Sequence, residues 1–168
     1  MTPFLLSQIC IAIAMCFDVM TFQFKQRKHV VYCLVSANVL IGLHFFLLEQ
    51  WTAVLLMAIA ALRNTVSLYF NSRRIMFGFI GLTLIATAMT YQNALSLLAG
   101  AAALLPNIAM FSGSDKRMRI LLMVSTCIWI LHNSLAGSPM AILMEVLFLA
   151  GNLVGYYRFY LHSKHRLA

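Results

Sequence analysis

The chain has 168 residues, 62% of them hydrophobic and only 10% charged, with a formal net charge of +8. An ordinary soluble domain carries about a quarter charged residues, so that class is excluded, and the length leaves no room for a soluble domain beside a membrane domain. The basic residues fall between apolar runs, which reads as orientation in a bilayer and not as a nucleic-acid footprint.

Apolar stretches of near-membrane length follow one another from the first residues, and seven spans fit: 3–24, 30–48, 51–71, 75–90, 93–111, 118–135 and 140–162. A β-barrel would need alternating polarity, which is not seen. Met1–Cys16 has no basic n-region and no Ala-x-Ala site after it, so the first span reads as retained. Cys10, Cys16, Cys33 and Cys127 lie inside apolar segments without CxxC spacing and read as small packing residues.

Charge placement supports the count. Lys25, Arg27 and Lys28 follow span one, Arg73 and Arg74 follow span three, and Lys116, Arg117 and Arg119 follow span five. Arg158, Lys164 and Arg166 mark the C-terminal end, while the alternate loops hold Glu49 and no Lys or Arg. With seven spans every basic loop falls on one side, giving an external N-terminus and a cytoplasmic C-terminus.

The chain also repeats. A shift of 88 places His44 on His132, Ala53 on Ala141, Leu55 on Leu143, Asn64 on Asn152 and Tyr69 on Tyr157. A shift of 89 places Asp18 on Asn107 and Ser36 on Ser125. Two three-span units of the same orientation need one extra crossing between them, and span four supplies it. The expected fold is therefore all-α and integral to the membrane. Repeats at 3–71 and 93–162 are joined by a linker helix at 75–90, a parallel 3+1+3 arrangement. Ser96, Ala99, Gly100 and Ala103 on span five suit close helix packing.

Leu105-Pro106-Asn107, a basic loop, Ser125 and Trp129-x-x-His132 then resemble the SWEET, SemiSWEET and PQ-loop superfamily, in which this region reads Pro-Gln, a basic loop, Ser and Trp-x-x-Tyr-Gly. The length and the His-bearing second helices are similar to the YgjV-type family of bacterial inner-membrane proteins. The resemblance implies the SWEET-like fold, a bacterial inner membrane, a hinge at Pro106 and Asn107, and a pocket-lining Asn on the third helix of each repeat, here Asn64 and Asn152. Repeat one has Phe17-Asp18 where Pro-Gln would stand, so the hinge is expected in one half only.

Five ionisable side chains fall within or near the ends of spans: Asp18, His44, Arg63, His132 and Glu145. Charges in lipid are costly and usually face a bundle interior. At about 1.5 Å per residue, Asp18 and Arg63 lie at similar depth. The superfamily places helices one and three side by side, so an Asp18–Arg63 ion pair is expected, either a fixed strut or a gate. His44, His132 and Glu145 are expected to meet at the outer mouth as a hydrogen-bonded gate, with a metal site as the lesser alternative. Asn64 and Asn152 read as solute contacts or as interhelical hydrogen bonds, with Trp129, Ser36, Ser125 and Asn38 as secondary pocket residues. No phosphate loop, nucleophile elbow or zinc motif appears, so no enzyme activity and no cofactor or metal are expected. The expected partners are the lipid bilayer and a small polar solute, carried by alternating access. The alternative is a scaffold or regulatory subunit, whose protein partner the sequence does not name.

Overall fold

The computed structural model describes residues 2–21, 27–70, 72–111, 114–157 and 160. They form seven helices: α1 (Pro3–Thr21), α2 (Arg27–Leu47), α3 (Trp51–Val66), α4 (Arg73–Met89), α5 (Ala94–Met110), α6 (Asp115–Leu135) and α7 (Pro139–Tyr156). No strand occurs among the described residues. Residues 22–24, 71, 158–159 and 161–162 of the expected spans, together with Lys25, Lys164 and Arg166, lie outside them.

Local chemistry explains where the helices begin and end. Ser72 Oγ accepts the Arg74 N–H at 3.2 Å and Asn93 Oδ1 accepts the Leu95 N–H at 2.9 Å, so both cap orphan donors at a helix start. Pro139 stands in the first turn of α7, where its missing N–H is harmless. The third helix ends at Val66, five residues before the expected limit. There Ser67 Oγ donates to the Asn64 carbonyl at 2.8 Å, while Leu68 and Tyr69 bond three residues back. A side-chain donor thus competes for the helix's last acceptors.

Among the described residues, α1, α6 and α7 are long and apolar enough to cross a membrane. Stretches of α2, α3 and α5 are apolar but shorter. All seven helices run through one bundle. Gln8 touches Ser138 and Met140, His44 touches Ser7, and Thr52 touches Thr90 and Ser96. The starts of α1, α3, α5 and α7 therefore share one end with the finishes of α2, α4 and α6, here the turn end. Arg73, Arg74, Lys116 and Arg117 start helices at the opposite, basic end.

Packing follows the order α1–α2, α2–α3, α3–α5, α5–α6, α6–α7 and α7–α1, a ring of six helices with α4 laid against α3 and α5. The second helix thus sits between α1 and α3, where the superfamily resemblance had α1 beside α3. Large apolar side chains point outward along every helix, whereas the buried set combines small residues such as Ala14, Ala37, Ala99 and Ala102 with polar ones. Without water outside, a bundle gains from small-residue contacts and internal hydrogen bonds. Gly100 shows such a close approach, since a Cβ there would meet Thr87 Cγ2 and Oγ1 of α4 at 2.6 Å.

Two turns at the turn end are alike in backbone detail. Glu49 has φ 59° and Gly137 has φ 68°, 88 residues apart. After them Gln50 N bonds Phe45 O at 2.9 Å and Ser138 N bonds Asn133 O at 3.0 Å, the six-to-one bond of a left-handed helix cap. Glycine adopts this conformation freely, whereas a side chain costs about 1–2 kcal/mol. Glu49→Gly should therefore raise stability by up to about 1 kcal/mol and Gly137→Glu should lower it by about as much, read by equilibrium unfolding in mixed micelles.

Candidate functional site

Polar side chains collect in three places: the α1–α7 seam, the α3–α5 seam and the contact between α2 and α6. At the last, Phe45 of α2 stacks on Trp129 of α6 with ring centroids 5.6 Å apart and meets His132 edge-on at 5.5 Å. Trp129 and His132 touch edge-on at 5.1 Å, and His44 lies beside Phe45 at 5.0 Å. The two histidines and Trp129 are thus brought together, with Phe45, unmarked by the sequence, at their centre.

Hydrogen bonds fix the imidazole protons. His44 Nδ1 lies 3.0 Å from the Ser7 carbonyl, which can only accept, so Nδ1 carries the proton. Its Nε2 then accepts from Ser138 Oγ at 3.3 Å. Gln8 completes this end of the α1–α7 seam, donating to Ser7 Oγ at 3.0 Å and accepting the Met140 N–H at 3.2 Å. By the same reasoning His132 Nδ1 donates to Asn133 Oδ1 at 3.2 Å. His132 Nε2 is buried and has no partner, and the same holds for Asn38 Nδ2. Asn38 lies seven residues before Phe45 and so on the same face of α2.

Glu145 does not join the histidines. Beside His44 stand the Ser7 carbonyl and Ser138, and beside His132 stands Asn133. Glu145 lies two turns further along α7, where its charged neighbour is Asp18. The two-His-one-carboxylate arrangement is therefore not assembled, and among the described residues no three His, Cys, Asp or Glu side chains converge. Asp18 lines a cavity of about 30 Å³ in the α1–α7 seam with Met15, Val19, Met144, Leu147 and Phe148.

The expected Asp18–Arg63 pair is replaced by another. Arg63 is buried in the α3–α5 seam, where Nη1 donates to Asn107 Oδ1 at 3.0 Å. Nη2 and Nε both donate to Asn64 Oδ1, at 3.1 and 3.3 Å. Asn107 is held in turn by α4, its Nδ2 donating to Thr83 Oγ1 at 2.8 Å and to the Phe79 carbonyl at 3.3 Å. The physical reason is the ring order: α2 separates α1 from α3, so Arg63 faces α5. Its partner there is Asn107, the residue that the 89-residue shift equates with Asp18.

The remaining candidates are placed as follows. Asn64 is engaged by Arg63, and Asn152 Nδ2 donates to the Phe148 carbonyl of its own helix at 3.0 Å. Ser36 is half-buried on α2. Ser125 is buried on α6, and its Oγ donates to the Ala102 carbonyl at 2.8 Å. That carbonyl is the one an N–H at position 106 would have met, and Pro106, inside α5, has none. Ser125 therefore satisfies the acceptor that Pro106 orphans. The far end of the α3–α5 seam is closed by Thr52 Oγ1, which donates to the Thr90 carbonyl at 2.7 Å and lies 3.0 Å from Ser96 Oγ.

Three double-mutant cycles check these assignments. Ser125→Ala should cost about 1–3 kcal/mol with Pro106 present and much less in Pro106→Ala, where the new N–H serves Ala102. Asn107→Ala should cost about 3 kcal/mol in the parent and clearly less in Arg63→Met, because only the parent keeps a buried charge in need of that oxygen. Asp18→Asn combined with Arg63→Met should be additive, and coupling between them would contradict the observed seam.

The family model of Imp-YgjV, described as a bacterial inner membrane protein, matches residues 5–163. The chain is also 29% identical to inner membrane protein YgjV of Escherichia coli (strain K12) over 164 residues, 98% of this chain and 90% of that protein. No solved structure matches. With nearly every residue of the bundle inside the match, the chain belongs to the YgjV family of bacterial inner membrane proteins.

Proposed function

We propose that this protein is a carrier for a small polar solute, working by alternating access between two halves, α1–α3 and α5–α7, with α4 as the linker of a 3+1+3 duplication. The packing supports the duplication. Replacing α1, α2 and α3 by α5, α6 and α7 turns α1–α2 into α5–α6, α2–α3 into α6–α7 and the α3–α5 seam into the α7–α1 seam. The matching turns at Glu49 and Gly137 agree with it. The charge pattern supports an external N-terminus and a cytoplasmic C-terminus, which makes the turn end external.

One observation carries the functional reading. His132 Nε2 and Asn38 Nδ2 are buried without partners on the two helices that meet between the halves. Leaving such an atom unpaired costs about 1–3 kcal/mol, which gains nothing in a fixed strut. An acceptor from one half and a donor from the other suit a solute that offers both. In this conformation the external end is closed by the Phe45–Trp129 stack and the Gln8–Ser138 contact, so transport requires these to part. No catalytic role is proposed.

A second reading, a non-transporting scaffold or regulatory subunit, is favoured by Asn152, which bonds within its own helix. It is favoured also by the cavities. Besides the small α1–α7 cavity there is an apolar groove of about 310 Å³ on α3 and α4, lined by residues such as Leu62 and Leu82, and neither includes Asn64 or Asn152.

A thermal-shift screen in detergent against sugars, nucleosides, vitamins and amino acids separates the two. A solute that binds only the folded protein raises its unfolding temperature, by about 2.7 kcal/mol of stability at a hundredfold excess over Kd. The carrier reading expects such a solute, with the shift lost in Asn64→Ala, Asn152→Ala and His132→Ala while each variant stays folded. Silence across the panel favours the scaffold.

A further inference from the structure

Among the described residues Arg63, 7% exposed, is the most deeply buried Lys, Arg, Asp or Glu side chain. Its partners are amide oxygens only, those of Asn64 and Asn107. Amide dipoles offset part of the cost of a guanidinium inside a membrane protein and leave its unit charge uncompensated. A guanidinium has five N–H bonds, and the three contacts use one on Nε, one on Nη1 and one on Nη2. One N–H on each terminal nitrogen is left over.

The surroundings decide what those two donors can meet. Asn64 grips the Nε–Nη2 edge, and Asn107 is held by Thr83 and Phe79 of α4 so that its oxygen faces Nη1. The guanidinium is thus held by three helices rather than left to swing. The fourth helix packs against both α3 and α5 and covers the outer side of their seam, which leaves the side toward the other helices of the ring for a ligand.

We propose that Arg63 binds the carboxylate of a small monoanionic solute across its two terminal nitrogens. This rests on the carrier reading above and names the class of its solute. A planar two-oxygen anion fits a pair of guanidinium donors, and one negative charge neutralises the one positive charge present. A doubly charged phosphate would leave a net charge buried in its turn. Asn64 and Asn107 are positioning residues that aim the cation.

The test uses the full chain in an uncharged detergent at fixed ionic strength. Short carboxylates such as acetate, lactate and pyruvate are compared with acetamide and lactamide, which keep the shape and lose the charge. A rise in unfolding temperature with a carboxylate, absent with its amide and absent in Arg63→Met, is expected. The ligand-free Arg63→Met variant should unfold no earlier than the parent, because an uncompensated charge has been removed. A plain structural strut would instead unfold earlier when Arg63 is replaced. If Arg63→Met does not fold, Arg63→Lys decides. It keeps the charge but not the fork, so carboxylate binding about tenfold weaker is expected and equal affinity overturns the proposal. A neutral solute that stabilises the parent while every carboxylate is silent overturns the anion site and leaves the carrier reading intact. Silence from all solutes removes both. Phosphatidylglycerol in mixed micelles forms the lipid arm, and a shift with it that Arg63→Met abolishes, without any carboxylate effect, would assign the site to a lipid headgroup and overturn the proposal.

Discussion

Hydrocarbon offers helices nothing to hide from, so the hydrophobic effect does not hold this bundle together. What joins its first three helices to its last three is polar and aromatic: Gln8 on Ser138, Arg63 on Asn107, Thr52 beside Ser96, and Phe45 on Trp129. Much of the rest follows from this constraint. Polar groups must be inside, large apolar groups are free to face outward, and each buried donor or acceptor has to find its partner within the protein. Among the described residues, the buried side-chain atoms His132 Nε2 and Asn38 Nδ2 have none and are conspicuous for that reason, and both lie on the helices that meet at the centre.

The two seams are unequal in strength. At the turn end the two are alike: Thr52 Oγ1 lies 3.0 Å from Ser96 Oγ across the α3–α5 seam, and Gln8 Oε1 accepts the Met140 N–H at 3.2 Å across the α1–α7 seam. Deeper in, the α3–α5 seam also holds the charge-assisted Arg63–Asn107 bond at 3.0 Å. The α3–α5 seam is braced by α4 as well, through Thr83 and Phe79, while α4 does not reach α1 or α7. If the halves separate, the α1–α7 seam is the one that yields first.

Much of the architecture was legible in the chain because it depends on periodic and local signals. Apolar runs located seven helices to within a few residues at most ends, and the cap at Ser72 and the proline at the start of α7 sit where such residues usually start helices. The principal failure at the end of α3 has a local cause too, the competition of Ser67 for a helix carbonyl. Neighbour relations were harder. Helical spacing tells which residues share a face, not which helix that face meets, so Arg63 was assigned to Asp18 through an assumed α1–α3 contact. Glu145 was placed with the histidines by depth alone, yet depth does not distinguish two sides of a helix. Gln8 and Ser138 carried no charge or motif to mark them. The internal repeat in the sequence carries the better clue, since Arg63 meets Asn107, the residue at the position that matches Asp18.

The departures from the repeat prove to be coupled. Pro106 replaces Phe17 and removes an N–H, and Ser125 supplies the missing donor to Ala102. Its counterpart Ser36 is on α2, which packs against α1, a helix with no proline after Pro3. Asn107 replaces Asp18 and needs two acceptors for its amide hydrogens, which Thr83 and Phe79 provide only because α4 lies on that side. The fourth helix thus supplies the groups that let α5 hold an amide where α1 holds a carboxyl, and that amide in turn lets a guanidinium stay buried in the α3–α5 seam without a fixed counter-ion.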